Sequence, residues 1–175
     1  MPIEVIDEWR LSAADDGAIA DLLARCFDTD FGGRSFFIQH HHLRLVLREE
    51  GQIVGHIAMV LRAVQLGDSL VTIAGLAEVA TDPDHRGKGI AADLLQAAIV
   101  EARSSPAEFL LLFGQAKLYA AAGFRRVGNR MAQIITTGSR AGRVIRGDND
   151  HLMILPLGDR PWPDAALLDL RGPVF

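Results

Sequence analysis

Residues 79–91, Val79-Ala80-Thr81-Asp82-Pro83-Asp84-His85-Arg86-Gly87-Lys88-Gly89-Ile90-Ala91, carry the sharpest chemical signal in the chain. They stand where an apolar, strand-like run stops and a helix-like pattern starts. The first turn of a helix leaves backbone N–H groups without partners, and the macrodipole adds about half a positive charge there. Gly87 and Gly89 let an anion come close to those groups, and Arg86 and Lys88 add formal charge. The segment is built to hold a phosphate or pyrophosphate. Spacing separates it from two other phosphate loops. No Gly-Lys-Ser/Thr follows a glycine and four intervening residues, and Ala92 stands where the third glycine of a dinucleotide fingerprint would be.

Other reactive residue types read less sharply. His40-His41-His42 are consecutive, so their side chains point in different directions and do not converge on one ion; no metal is expected, and one of the three is a candidate contributor to a ligand site. Phe36 and Phe37 suit either a core or the wall of a cleft. Arg140, Arg143 and Arg146 read as a solvated face. The single cysteine, Cys26, lies in the apolar helical run Ile19, Leu22, Leu23, Cys26, Phe27 and reads as a small buried hydrophobe. One cysteine allows no internal disulfide.

The 175 residues suit a single domain over 1–175 with a sizeable core. A net charge of −4 lacks the basic footprint of a nucleic-acid binder. No apolar run approaches the ~18 residues of a membrane span, and the acidic start MPIEVIDEWR has no apolar signal core, so a cytoplasmic protein without membrane contact is expected.

The elements that must position the phosphate segment follow from periodicity. Residues 3–11 read as a strand. Ser12, with Asp15 and Asp16 behind it, marks a helix N-terminus, and the helix runs to about Phe27. Residues 28–42 are irregular. Residues 43–49, 53–66 and 70–81, separated by turn signals at Glu50-Gly51 and Gly67-Asp68, read as a three-stranded meander. From Gly89 to Arg103 the apolar spacing turns helical (Ile90, Leu94, Leu95, Ala98, Ile99). Phe109–Phe113 is a wholly apolar run suited to a buried strand, 116–122 a short helix closed by Gly123, and 124–128, 131–137 and 151–157 further strands. The last eighteen residues are Pro-rich and read as irregular. The sum is an α+β chain: a mixed, mostly antiparallel sheet of about six to seven strands with one β-α-β unit and flanking helices.

Arg86-x-x-Gly89-x-Ala91, after a strand ending in Asp82-Pro83 and before Leu94-Leu95, resembles the pyrophosphate-binding motif of the GNAT superfamily of N-acetyltransferases. Tyr119-Ala120-Ala121-Ala122-Gly123-Phe124 resembles the Tyr-x-x-x-Gly-Phe segment of the same family, thirty residues after Gly89. The resemblance implies the GNAT fold and acetyl-coenzyme A as co-substrate. Arg86, Gly87, Lys88, Gly89, Ile90 and Ala91 would hold its pyrophosphate, and Val79 and Thr81 would offer backbone groups to the pantetheine arm. Tyr119, the only tyrosine, would stand near the cofactor sulfur as general acid. A phenol near pKa 10 protonating a thiolate near 8.5 works uphill by roughly 2 kcal/mol, within reach of a concerted step. The asparagine that many members carry seven residues before this tyrosine is replaced by Leu112.

In such a reaction an amine attacks only when neutral, so a carboxylate must take its proton. Glu78, three residues before Thr81 in an otherwise apolar strand, is the candidate base, with a structural or solvent-facing role as its other reading. The N–H of Val79 is a candidate to polarise the thioester carbonyl. Gly33-Arg34-Ser35-Phe36-Phe37, Gly55-His56 and the tail Ile154-Leu155-Pro156-Leu157…Trp162-Pro163…Asp169-Leu170-Arg171-Gly172 are similar to nodulation acyltransferases and 2′-class aminoglycoside acetyltransferases. That likeness implies a small-molecule amine acceptor such as an amino sugar, although the 2′ class carries its acid one position earlier, where Ala77 stands. A longer acyl chain delivered by a carrier protein and a non-catalytic coenzyme A-binding module are the other readings. The Pro-rich tail is left with two roles, a cap over the acceptor or a homodimer contact.

Overall fold

The computed structural model describes residues 2–115, 117–137 and 140–175. It divides into two compact units, one of residues 1–60 and 76–101, the other of 61–75 and 102–175.

In the first unit, β1 (Ile3–Asp7) pairs antiparallel with β2 (Leu43–Glu49), and β2 pairs antiparallel with β3 (Gln52–Leu66). β4 (Ser69–Thr81) is the neighbour of β3. The strand expected over 3–11 is shorter, because Glu8–Arg10 coil into one 3-10 turn that places Glu8 at the end of β1. α1 (Ala13–Cys26) starts where the sequence indicates: Ser12 Oγ accepts the Asp15 N–H at 3.1 Å, satisfying a first-turn donor. Its apolar stripe, Ile19, Leu22 and Leu23, packs with Phe31, Val46, Ile53 and Ala80. α2 (Ile90–Ser104) lies directly on β3. A Cβ at Gly55 would stand 2.5 Å from Ile90 Cγ2 and 2.7 Å from Leu94 Cδ1, so the glycine is what lets the helix seat this closely.

The second unit has the strand order β6-β9-β5-β4-β3-β10-β7-β8. Its further strands are β5 (Phe109–Phe113), β6 (Arg125–Arg126), β7 (Met131–Thr137), β8 (Arg140–Gly147), β9 (Leu152–Pro156) and β10 (Leu168–Asp169), with α3 (Lys117–Ala121) after β5. Among the described residues the sheet has ten strands, more than the six to seven expected. β8 lies in the arginine-bearing segment read as a solvated face; Arg143 and Arg146 are indeed exposed, but on a strand at the sheet edge. β10 lies in the tail read as irregular. It is held by long-range bonds: Leu168 N–H reaches the Arg130 carbonyl and Leu170 N–H the Ala132 carbonyl, both at 2.9 Å. Trp162 anchors the same tail. Its Nε1–H donates to Asn129 Oδ1 at 2.7 Å, its ring stands edge-on to Phe109, and the Asn129 amide donates to the carbonyls of Pro163 and Ala166. The short helix expected from residue 116 begins at Lys117; Ala116 lies outside the described residues.

Candidate active site

In the first unit, the phosphate segment leaves β4 at Thr81, makes a 3-10 turn over Pro83–His85 and enters α2 at Ile90. Asp82 caps the turn by accepting the Asp84 N–H at 3.0 Å and is clamped by Arg25 at 2.6 Å. Gly87 and Gly89 have φ of +81° and +83°, a region that a side chain strains, and the space where a Cβ would point is open at both. Arg86, Gly87, Lys88 and Gly89 are exposed, Ala91 is half-buried and Ile90 is buried against Gly55. Lys88 Nζ rests on Glu49 at 3.1 Å, an exposed pair that an incoming phosphate can outbid at little cost. The result is an open backbone cradle with exposed cationic side chains at its rim. Thr81 contributes a buried hydroxyl with no hydrogen-bond partner among the described residues, while its carbonyl accepts the Cys26 thiol at 3.3 Å. That carbonyl retains a second lone pair.

Two positions upstream of Ala80, Glu78 has φ +51°, left-handed backbone inside a strand. For a non-glycine residue this costs roughly 1–3 kcal/mol and persists only when its surroundings hold it. The turn buries the carboxylate, leaving the side chain 8% exposed. Oε1 accepts the Phe37 N–H at 2.9 Å, and Oε2 lies 3.3 Å from Arg44 NH1. The solvent-facing reading of Glu78 is therefore incorrect: the left-handed residue rotates the side chain off the strand's outer face.

Arg44 is fully buried and is the hub of the site. Nε and NH2 make a bidentate pair with Glu8, at 2.7 and 3.0 Å. NH2 also reaches Ser35 Oγ at 3.3 Å, and NH1 donates to the Ser35 carbonyl at 2.8 Å. NH1 has two protons, yet faces a third acceptor beyond Ser35 and Glu78: His56 Nε2 at 3.3 Å. Glu78 and His56 thus divide what remains after Ser35. Burial alone would raise Glu8, but the hydrogen bonds and charge of Arg44, with help from His40, hold it at about 2. Burial pushes Glu78 up to about 7, against Arg44 and the Phe37 N–H, with the Glu8 charge adding to the rise. One guanidinium serves two carboxylates, and Glu8 takes the larger share.

Two neutral imidazoles complete the cluster. Burial first, then Arg44, holds His56 at about 3. Its Nδ1 lies 2.9 Å from the Glu78 carbonyl, which can only accept, so Nδ1 carries the proton and Nε2 is free to accept from Arg44. His41 is likewise held at about 3 by burial and Arg44. Its Nε2 lies 3.7 Å from Glu78 Oε1, too far for a hydrogen bond, and with a neutral ring this approach is no ion pair near pH 7. His41 Nδ1 is buried without a partner among the described residues. Of the histidine run, His40 bonds Glu8 at 2.7 Å and His41 faces Glu78. Among the described residues no group of three or more His, Cys, Asp or Glu side chains is arranged to hold a metal ion. Glu8 and Arg44 have no local signal in the sequence as site residues; Arg44 is marked by its contact with Glu78 and Glu8 by its pair with Arg44, while His56 has only the Gly55-His56 likeness.

In the second unit, Tyr119 sits on α3 with its ring against Gly114, where a Cβ would come within 2.8 Å of Cε2, and edge-on to Phe124. Burial raises the phenol. Gly123, at φ +95°, closes the helix, and Phe124 N–H returns to the Tyr119 carbonyl at 3.0 Å. Gly114 also lines a cavity of about 440 Å³ with Phe113, Gln115, His151, Asn149 and Phe175. Gln115 Nε2 donates to His151 Nδ1 at 2.7 Å, and the Phe113 and Phe175 rings lie 5.3 Å apart. Arg62 holds Phe175 from behind, 5.5 Å from its ring centre.

The model of the acetyltransferase (GNAT) domain matches residues 10–128, which include the cradle, Glu78 and Tyr119. No curated protein sequence matches significantly. Among solved structures, the chain is similar to a GNAT family N-acetyltransferase, YhbS, from Escherichia coli in complex with CoA (20% identity, TM-score 0.69, 97% of this chain and 88% of that one). It is also similar to a GNAT family acetyltransferase from Brucella melitensis in complex with acetyl-CoA (20%, 0.64, 95% and 94%). A third is the ribosomal-protein-S18-alanine N-acetyltransferase from Escherichia coli (21%, 0.60, 91% and 97%). With the family model covering more than half of its length, the chain belongs to the GNAT family of acetyltransferases.

Proposed function

We propose that this acetyltransferase moves the acetyl group of acetyl-coenzyme A onto a primary amine of a small molecule, with Glu78 as general base and Tyr119 as general acid. The observation that carries the reading is Glu78: a buried carboxylate at about pKa 7, turned inward by left-handed backbone on the strand that feeds the phosphate cradle. A base poised near the working pH is what amine deprotonation requires.

In the proposed reaction Arg86, Gly87, Lys88, Gly89, Ile90 and Ala91 bind the pyrophosphate, and Val79 and Thr81 line the pantetheine arm. The amine nitrogen attacks the thioester carbonyl, and the Val79 N–H steadies the oxygen. Glu78 takes the amine proton. The C–S bond breaks, and the Tyr119 hydroxyl protonates the departing thiolate. The products are the N-acetyl amide and free coenzyme A.

The small-molecule acceptor is supported by the amino-sugar likeness of the sequence, and the second unit by itself holds a cavity of about 440 Å³, within the size range of small-molecule sites. The amide side chains, imidazole and two aromatic rings of that cavity suit a polar, hydroxyl-bearing body. The test is thiol release from acetyl-coenzyme A over a panel of amino sugars, aminoglycosides, polyamines and peptides. The reading expects turnover with an amino sugar that falls at least about a hundredfold in Glu78→Gln. Turnover confined to peptides would overturn the acceptor class.

A further inference from the structure

His56 touches Glu78 twice over, once directly and once through Arg44. Its Nδ1–H donates to the Glu78 carbonyl at 2.9 Å, its Nε2 accepts from Arg44 NH1 at 3.3 Å, and the same NH1 reaches the Glu78 carboxylate at 3.3 Å. The loop closes on one residue: backbone carbonyl, imidazole, guanidinium, side-chain carboxylate. The ring is fully buried on β3, next to Gly55, on which α2 rests. It cannot relax toward solvent, and losing either bond would leave a buried polar atom unpaired.

We infer that His56 is a positioning residue for acyl transfer: its Nδ1–H pins the left-handed turn that aims Glu78, and its Nε2 withholds part of the Arg44 NH1 proton from the Glu78 carboxylate, leaving that carboxylate basic enough to accept a proton from the amine. The inference rests on Glu78 being the base. The two nitrogens have separable jobs. The Nδ1 bond acts on geometry, because φ +51° is unfavourable for glutamate and needs an external restraint. The Nε2 contact acts on basicity, because a donor transferred wholly to a carboxylate stabilises its charged form. Among the described residues, the other charged or titratable groups against Glu78 are Arg44 from β2, Glu8 beyond it from the first 3-10 turn, and the neutral ring of His41. None of them reaches the Glu78 carbonyl in place of His56.

Two variants separate the jobs. Asn in His56→Asn sets an amide N–H near the position of Nδ1 and has nothing at Nε2. Gln in His56→Gln reaches the Nε2 position and leaves the carbonyl without its donor. The experiment records kcat, KM for acetyl-coenzyme A and the pH dependence of kcat/KM for both, beside wild type and Glu78→Gln, with melting temperature as a control. His56→Asn is expected to keep kcat within about threefold, with the acidic limb of its profile moved down by about half a unit or more. His56→Gln is expected to lose kcat about tenfold or more, with KM for acetyl-coenzyme A unchanged and the limb in place. Equal losses in both that follow the melting temperature, with no movement of the limb, would overturn the inference and leave His56 a packing residue. Near wild-type kcat and pH profile in both, with Glu78→Gln inactive, would also overturn it while leaving the base assignment standing. A fully active Glu78→Gln would remove the base and the inference together. If His56→Gln does not fold, the limb of His56→Asn decides alone: moved down supports the inference, unmoved rejects it.

Discussion

Glu8 and Glu78 compete for one guanidinium, and Glu8 holds the better position. Arg44 gives Glu8 two bonds at 2.7 and 3.0 Å and gives Glu78 a single contact at 3.3 Å that His56 also draws on. Burial raises Glu78 and the stronger Arg44 pair lowers Glu8, which together separate the two carboxyls to about 7 and about 2. Divergent pKa values suit neighbouring carboxylates to different roles: Glu8 to a fixed counter-ion and, in the proposed reaction, Glu78 to a proton acceptor.

The first prediction concerns stability. Glu78 is raised above its ordinary value, so the folded state binds the extra proton between about pH 4.5 and 7, and stability falls as pH rises through that window. The shift corresponds to roughly 3 kcal/mol at 1.36 kcal/mol per pH unit. Glu8 acts in the opposite sense at lower pH: its contribution is present above about 4.5 and lost as pH falls toward 2. Wild-type melting temperature should therefore decline from pH 5 to 8, and Glu78→Gln should flatten that decline while abolishing turnover. Thermal melts at pH 5, 6.5 and 8 check both.

Removing the counter-ion should harm the fold and weaken the base together. In Glu8→Gln the buried Arg44 keeps only Glu78 as a charged partner, so stability should fall by about 3 kcal/mol or more. Glu78 is then left as the charged partner of Arg44, and the Glu8 charge that raises Glu78 is gone; the Glu78 pKa falls, and the acidic limb of kcat/KM should move to lower pH. Denaturant unfolding and a pH–rate profile on the same preparation test the pair of effects.

Gly89→Glu should abolish acetyl-coenzyme A binding without unfolding the chain. The position has φ +83° and open space where the cradle receives phosphate, so a glutamate there is strained, fills the cradle and repels the anion. Calorimetric titration should show micromolar binding in wild type and none in the variant, with circular dichroism unchanged.

Gly55→Ala tests how closely α2 must sit. The added methyl meets the side chains of Ile90 and Leu94 at 2.5–2.7 Å, so these buried contacts between β3 and the helix that carries the cradle must shift. A stability loss of about 1–3 kcal/mol is expected, with weaker acetyl-coenzyme A binding. Loss of stability with unchanged affinity would mean that the cradle tolerates the shift.

Local signals were legible in the sequence, and long-range ones were not. Ser12 capping α1, the two glycines before α2 and Gly123 closing α3 act within one turn of chain, where residue type determines conformation. The left-handed Glu78 has no such signal, because glutamate does not favour that backbone; it is imposed by Phe37, Arg44 and His56, 41, 34 and 22 residues away. Arg44 illustrates the same limit. It sits in the alternating segment 43–49, a pattern that places polar residues toward solvent, yet it is wholly buried because Glu8, Ser35 and Glu78 receive its five N–H groups with His56. β10 was hidden for a related reason: two residues between prolines have no periodicity, and its place comes from pairing with Leu66 and Met131.

The most direct test of the central claim is the pH dependence of kcat/KM, with a saturating acceptor amine of low pKa so that its own titration lies outside the range. If Glu78 is the base, wild-type activity rises through an apparent pKa near 7, and Glu78→Gln is at least about a hundredfold slower with that rise absent. A Glu78→Gln variant that keeps both the wild-type rate and the limb near 7 would contradict the claim and place the base elsewhere.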